Sequence, residues 1–324
     1  MDFKNYLVPG KTGLLIGIGG VSMSPLAEVL HDAGLDIRGS DMAESSNTLT
    51  LRERGIPIHI GHSADNVTDD ISFVIRTAAV HDDNPEVHEA HRRGIPVFER
   101  TQAWGALMRG YQNALCISGT HGKTTTTSMC THIMMAAEKD PTVMIGGTLP
   151  LLKACHRVGK GNTIIMESCE YYNSFLALNP TIAVVLNIEA DHLDFFKDLE
   201  DIKHSFRCFA ERVPAETGTV IANYDDANTM DALRGIARKV ITFGLNAKAD
   251  VYAQNIVHRG SVSEFDIYHR GNYFARVTLH VPGIHNVRNA LAATAAAIVL
   301  GVSPNAVKYG LAGFEGAGRR FDFK

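Results

Sequence analysis

Ser118-Gly119-Thr120-His121-Gly122-Lys123-Thr124-Thr125 is the stretch on which the reading of this chain turns. It follows an apolar run, Ala114-Leu115-Cys116-Ile117, and precedes a helix-like run from Thr126 to Ala137. Glycines in a strand–turn–helix let backbone N–H groups curl inward onto phosphate oxygens at the positive end of a helix. Gly119, Thr120, His121 and Gly122 would form that cradle, Lys123 would reach the outer phosphates, and the hydroxyl of Thr124 or Thr125 could ligate Mg²⁺. The strict G-x-x-x-x-G-K-[ST] pattern is not met, because Ile117 stands at its first glycine position. The shorter G-x-x-G-K-T form is what remains; G-x-x-G-K-[ST] arises by chance in about one chain in a hundred of this length, so nucleoside triphosphate binding is favoured over a plain turn with an exposed lysine. The loop alone does not identify the reaction.

Upstream, from Thr12 to about Glu99, short apolar runs alternate with amphipathic segments. The runs are Leu14–Ile18, Leu35–Gly39, Ile56–Ile60, Phe73–Ile75 and Ile95–Phe98, with helix-like stretches at Pro25–Ala33, Asn47–Arg54 and Pro85–Arg93. Strand alternating with helix predicts an α/β domain with a parallel sheet, similar to a Rossmann-type domain. Downstream of the loop, buried-type strands are expected at Thr163–Met166, Ile182–Leu186, Thr219–Ala222 and Val240–Phe243. Residues 251–281 alternate as antiparallel strands with one wet face do. An Ala-rich helix, Asn286–Leu300, closes the pattern, stopped by Gly301 and Pro304. The expected domains are 1–104 and 105–320.

The chain has 324 residues, 45% hydrophobic and 20% charged, with a formal charge of −4. That balance suits two globular domains and gives no reason to expect nucleic acid or an anionic membrane as partner. The five cysteines are widely spaced and form no C-x-x-C pair, so neither a disulfide framework nor a zinc site is indicated. No signal-peptide pattern or long apolar stretch is seen, and the chain reads as cytoplasmic.

A second glycine turn, Gly17-Ile18-Gly19-Gly20-Val21-Ser22-Met23-Ser24, follows the first strand. Such a turn brings backbone close to a diphosphate, and Asp41, some twenty residues on, can bond a ribose. Ser22 replaces the third glycine of G-x-G-x-x-G, so a tight junction or a dinucleotide-dependent oxidoreductase stays open here. In the second half, Glu167 ends one apolar strand and Asn187-Ile188-Glu189-Ala190-Asp191-His192-Leu193-Asp194 ends the next. Glu167 and His192 would thus meet the phosphate loop from two adjacent strand ends, with Thr124 forming an Mg²⁺ set. Imidazole is an uncommon Mg²⁺ ligand, so His192 is equally open to a helix-capping or outer role. Asp191 and Asp194 could be N-caps of the helix beginning near Asp198. Asn286 reads as the N-cap of the Ala-rich helix, and His285 and Asn289 could share one edge of a purine.

Together with Gly318-Arg319-Arg320-Phe321, these motifs closely resemble, in order and along essentially the whole chain, the Mur ligases. The presence of His121, where later members usually carry Asn, resembles the branch that joins L-alanine to UDP-N-acetylmuramic acid. The resemblance implies an ATP- and Mg²⁺-dependent C–N ligase of peptidoglycan biosynthesis whose first domain holds the UDP-sugar. Gly17, Gly19, Gly20, Val21, Ser22, Met23, Ser24, Ser40, Asp41, His62, Thr77 and Ala78 would surround that ligand. In a P-loop NTPase-like central domain, ATP would meet Gly119 to Thr125, His285, Asn286, Asn289 and Arg320. Lys123, Glu167 and His192 would be catalytic, and Thr124, Glu167 and His192 would hold metal. Residues 321–324 would open a third domain, absent here, that carries most of the alanine site; without it the chain would be inactive and could self-associate. Arg207 stands near the place where other members have a carbamylated lysine, and Cys169 replaces an Asp, with no catalytic role expected. Two alternatives remain: a relative that attaches a preformed peptide in wall recycling, and a non-catalytic nucleotide-binding module.

Overall fold

The computed structural model describes residues 2–77 and 79–316. The chain divides into two compact units between Gly110 and Tyr111. The first contains β1 (Thr12–Ile16), α1 (Ser24–Asp32), β2 (Asp36–Asp41), α2 (Ser46–Glu53), β3 (Ile58–Ile60), β4 (Ile71–Arg76), α3 (Pro85–Arg92), β5 (Val97–Glu99) and α4 (Arg100–Met108). Its sheet is wholly parallel, in the order β3-β2-β1-β4-β5. Every residue of β1 is buried, as a central strand covered by helices on both faces requires. The carboxyl ends of β1 and β2 therefore lie side by side, which sets the first glycine turn next to Ser40 and Asp41.

The expected boundary at 104/105 falls inside α4 and moves to Gly110. A capping box between Glu99 and Gln102 starts this helix, and Ala103, Trp104, Ala106, Leu107 and Met108 are all buried. A helix that buries its length belongs to the unit whose core it covers, here with a bond from Trp104 Nε1 to Ser22 O.

The second unit holds β6 (Asn113–Ser118), α5 (Lys123–Ala136), β7 (Thr142–Leu149), β8 (Ala154–Arg157), β9 (Thr163–Glu167), β10 (Ile182–Val185), α6 (Leu199–Glu211), β11 (Thr219–Asn223), α7 (Ala227–Ala232), β12 (Lys239–Gly244), β13 (Val251–Arg259), β14 (Val262–His269), β15 (Asn272–Leu279), α8 (Ile284–Val299) and α9 (Pro304–Ala312). The sheet runs β15-β14-β13-β12-β11-β10-β6-β9-β7-β8. Pairing is parallel from β7 through β13, and the β13–β15 meander is antiparallel as expected. The hairpin of β7 with β8 and the helix α9 were not anticipated. The apolar run of β7 breaks at Gly146-Gly147, and α9 lies beyond the proline that stops the Ala-rich helix. The alanines of α8 let it lie close against α5, and Gly310 lets α9 do the same, since a Cβ there would stand 2.5 Å from Ile133 Cα. Among the described residues no helix is long and apolar enough to cross a membrane.

One half-buried histidine makes this unit sensitive to acid. His132 lies on α5 with its ring edge-on to Phe314, the centroids 5.6 Å apart, and burial pushes its pKa down to about 4 from 6.5. The unfolded ring takes up a proton near 6.5 while the folded ring does not, so stability falls as pH drops from 6.5 and levels off near 4. After discounting for the part of the ring open to water, the loss is roughly 1–2 kcal/mol. Urea unfolding at pH 7 and pH 5 should show that much smaller a difference in His132→Gln than in the native chain. An equal difference in the two would remove this ring from the account.

Candidate active site

The phosphate loop depends on glycine at two positions. Gly119 has φ +145° and Gly122 φ +87°, the latter capping α5 in a left-handed conformation. Both are also crowded: a Cβ on Gly119 would lie 2.8 Å from Leu186 Cβ, and one on Gly122 2.7 Å from Asn289 Oδ1. The segment after β10 then clamps the loop. Asn187 Oδ1 accepts from the His121 amide at 2.7 Å while its Nδ2 donates to His121 O at 3.0 Å. The Thr120 amide donates to Asn187 O at 3.1 Å, and the Glu189 amide donates to Thr120 Oγ1 at 2.9 Å. Asn187 was visible as the first residue of a strand-end motif, but its partner, 66 residues upstream, was not.

Two carboxylates meet the start of α5. Thr124 Oγ1 donates to Glu167 Oε1 at 3.0 Å, and the Gly146 amide on β7 donates to Glu167 Oε2 at 2.7 Å. Lys123 Nζ donates to both oxygens of Glu170, at 2.9 and 3.1 Å, and to Gly119 O at 2.5 Å. This ion pair is largely withdrawn from water, with side-chain exposures of 15% for Lys123 and 3% for Glu170. Glu170 went unnoticed in the sequence because it lies past the end of β9, beyond the apolar run that drew attention to Glu167.

The strands carrying Glu167 and His192 are not adjacent to each other. β6, with the phosphate loop, lies between β9 and β10, so the two residues approach the loop from opposite sides. The ring of His192 stacks on Tyr171 at 4.3 Å, and its Nε2 is 4.0 Å from Glu170 Oε1 and from Asp191 Oδ2. Among the described residues no three His, Cys, Asp or Glu side chains are arranged to hold a metal ion. The Thr124–Glu167 pair nevertheless fits Mg²⁺, a hard cation that takes one or two protein oxygens and completes its shell with phosphate and water.

Several expected roles are corrected. The N-cap of α6 is Asp198, which accepts from the Asp201 amide at 2.9 Å; Asp191 accepts instead from the His192 amide, and Asp194 pairs with the Tyr171 hydroxyl. Gly283, not Asn286, caps α8; Asn286 lies within the first turn, buried, and donates to Pro282 O at 2.7 Å. Arg207 uses its guanidinium on Glu211 and on the carbonyls of Ala232 and Arg234. Cys169 is surface-exposed, but burial of its sulfur raises the thiol's pKa.

A cleft of about 520 Å³ runs beside the loop, lined by His121, Gly122 and Thr125 on one side and by His285, Asn286, Arg288 and Asn289 on the other, with Asn223, Asp225 and Asp226 at the ends of β11 and the following turn. His285 and Asn289 both line this cavity. Arg288 and the β11-end residues were not singled out. Arg288 Nε is buried and has no hydrogen-bond partner among the described residues; Asp225 Oδ2 stands 3.8 Å away. An unpaired buried donor of this kind is met by an ordered water or by a ligand oxygen.

In the first unit, the Gly17 and Ile18 amides donate to Ser40 O at 2.8 and 3.0 Å, and Gly17 has φ +77°. The Gly19 amide donates to Asp41 Oδ2 at 2.8 Å, and Asn47 Nδ2 donates to Gly19 O at 2.8 Å. Asp41 therefore shapes the turn itself. Val21 is exposed, Gly20 is open to solvent and Ser22 half-buried, whereas the side chains of Met23 and Ser24 are buried and leave only backbone for a ligand. Thr77 borders the turn, its Cγ2 4.0 Å from where a Gly17 Cβ would be. Ser40 Oγ lies 3.2 Å from His62 Nδ1. Ala78 and Gly318 to Phe321, including Arg320, lie outside the described residues.

A glycine-shaped phosphate loop, its lysine, and a carboxylate on the neighbouring strand define a nucleotide-dependent enzyme of the P-loop type. Residues 15–112 match the Mur ligase family catalytic domain and residues 117–297 the Mur ligase middle domain, and the chain belongs to the Mur ligase family, ATP-dependent ligases that form carbon–nitrogen bonds. It is 46% identical over 310 residues to a UDP-N-acetylmuramate–L-alanine ligase of Agathobacter rectalis, covering 95% of this chain and 67% of that protein. The solved UDP-N-acetylmuramate–alanine ligase of Thermotoga maritima is 31% identical with a TM-score of 0.79, over 96% of this chain and 70% of that one. A solved UDP-N-acetylmuramate:L-alanyl-gamma-D-glutamyl-meso-diaminopimelate ligase from Neisseria meningitides is 26% identical with a TM-score of 0.84, over 96% of this chain and all of that one.

Proposed function

We propose that this protein joins L-alanine to the lactyl carboxyl of UDP-N-acetylmuramic acid at the expense of ATP, in the cytoplasm. The observation that carries this reading is the 46% identity, along 95% of the chain, to an enzyme named for that reaction. The γ-phosphoryl group passes to the carboxylate, giving an acyl phosphate and ADP; the amine of alanine then attacks the acyl carbon, phosphate leaves, and the ammonium proton is lost to solvent. Such a sequence needs positioning and charge neutralisation rather than a nucleophilic side chain. Lys123 leaves Glu170 for the β- and γ-phosphates, the Gly119–Gly122 amides cradle them, and Arg288, His285 and Asn289 receive the nucleoside. Thr124 and Glu167 would hold Mg²⁺, with His192 nearby; the ion would offset the phosphate charge. The first unit takes the UDP-sugar on its Gly17–Ser22 turn, with Asp41 setting the turn's shape.

The peptide-adding neighbour, 26% identical, shares the fold, while the 46% identity to an alanine-adding enzyme favours alanine over a preformed peptide. Calorimetry should show binding of UDP-N-acetylmuramate and MgATP but not NADH, with Asp41→Ala weakening only the UDP-sugar, by about tenfold. Phosphate release that depends on L-alanine supports the proposal. Release that depends instead on L-alanyl-γ-D-glutamyl-meso-diaminopimelate would replace it, and preferential NADH binding would end the ligase reading of the first unit.

A further inference from the structure

Behind Ser40 and His62 lies a carboxylate that the sequence did not single out. Glu86, in the first turn of α3, is fully buried. Side chains on three separate segments reach it: Ser40 Oγ at the end of β2 donates to it (2.8 Å), Asn66 Nδ2 donates to it (2.6 Å), and His62 Nδ1 after β3 lies 2.7 Å from its Oε2. Asn66 Nδ2 also donates to Gly61 O at 3.2 Å, so the loop bearing His62 closes on itself around this carboxylate. The first-turn amides of α3 add their positive end to the same place.

A carboxylate that accepts from Ser40 and Asn66 can take a further hydrogen from His62 when that hydrogen sits on Nδ1. The bond made by one ring nitrogen decides the state of the other. Nε2 is then left as an acceptor in the neutral ring. Among the described residues it makes no hydrogen bond, and 16% of the side chain reaches solvent. Nε2 is thus left without a partner among the described residues, on a side chain that reaches solvent, after β3 at the carboxyl edge of the sheet, where ligands of such folds bind.

We propose that Glu86 is a positioning residue for the UDP-sugar. It holds His62 as the Nδ1–H tautomer, so that Nε2 accepts a hydrogen bond from a hydroxyl or imide N–H of the nucleotide sugar. This rests on the reading of the first unit as the UDP-sugar site. A purely structural Glu86 would tie the loop together equally well, but it would place no demand on Nε2.

The test uses the chain with ¹⁵N-labelled histidine, the His62 signals being identified by their loss in His62→Gln. In the native protein Nδ1 should carry the proton, and the Nε2 resonance should move when UDP-N-acetylmuramate is added. Glu86→Met, of similar length with no acceptor, should shift the proton towards Nε2 and raise the Kd for UDP-N-acetylmuramate about tenfold, with MgATP affinity unchanged. Glu86→Gln, which restores an acceptor, should recover most of that loss. The proposal is overturned if Nε2 keeps its resonance on saturation with the UDP-sugar, or if Glu86→Met binds it within about twofold of the native chain. Should Glu86→Met not fold, the native spectra decide alone. A native chain that binds no UDP-N-acetylmuramate would overturn the functional reading; binding with a silent Nε2 would overturn only this inference.

Discussion

Lys123→Ala is expected to raise the Kd for ATP by about a hundred- to a thousandfold while leaving UDP-N-acetylmuramate binding within about twofold. The size follows from what the lysine faces. Its ammonium is paired with Glu170, whose side chain is only 3% exposed. Removing it deletes a phosphate contact and also leaves an unpaired buried carboxylate beside the place where phosphates must come. The second effect is repulsive and makes the loss larger than one hydrogen bond would. Two consequences distinguish this account. The variant should be destabilised by about 3 kcal/mol through the stranded Glu170. The double variant Lys123→Ala/Glu170→Gln should regain roughly tenfold in ATP affinity over Lys123→Ala. Calorimetry and urea unfolding read both. ATP affinity within threefold of native would remove Lys123 from the nucleotide site, and a parallel loss of UDP-sugar binding in a folded variant would show that the ligands are assigned to the wrong units.

Glu167→Gln is expected to abolish most of the Mg²⁺ dependence of ATP binding. Native ATP affinity should rise at least about thirtyfold from chelator to millimolar Mg²⁺, and the variant's by no more than about threefold. Gln keeps the length of the side chain but places an amide where one oxygen accepts from Thr124 Oγ1 at 3.0 Å and the other from the Gly146 amide at 2.7 Å. It removes the one carboxylate that sits against the Thr124 hydroxyl. His192→Ala should have a smaller effect, because that ring is set against Tyr171 and Glu170. Titrations of ATP at fixed Mg²⁺ concentrations distinguish the two. Native-like Mg²⁺ dependence in Glu167→Gln would return Glu167 to a loop-tying role, and a larger loss in His192→Ala would move the metal to the Glu170 side of Lys123.

The strand–helix alternation, both glycine turns and the phosphate loop were legible in the sequence because each rests on contacts between near neighbours in the chain. Alternating apolar runs specify strands buried on both faces, and G-x-x-G-K-T between a strand and a helix specifies a loop whose glycines need positive φ, as Gly119 and Gly122 do. Lys123, Thr124 and Glu167 were named from such local cues, and Thr124 and Glu167 are in direct contact. Strand order was not legible. A strand's neighbours are chosen by long-range packing, so β6 entering between β9 and β10 could not be read from the run of residues, and with it went the expectation that Glu167 and His192 end adjacent strands. Partners distant in sequence were hidden for the same reason: Asn187 with His121, Glu170 with Lys123, and Glu86 with Ser40, His62 and Asn66. The chain's own pattern determined that two α/β units would form and where their glycine turns lie. The tertiary structure decided which carboxylate each cation and imidazole meets, because a hydrogen bond depends on distance in space and a sequence records only distance along the chain.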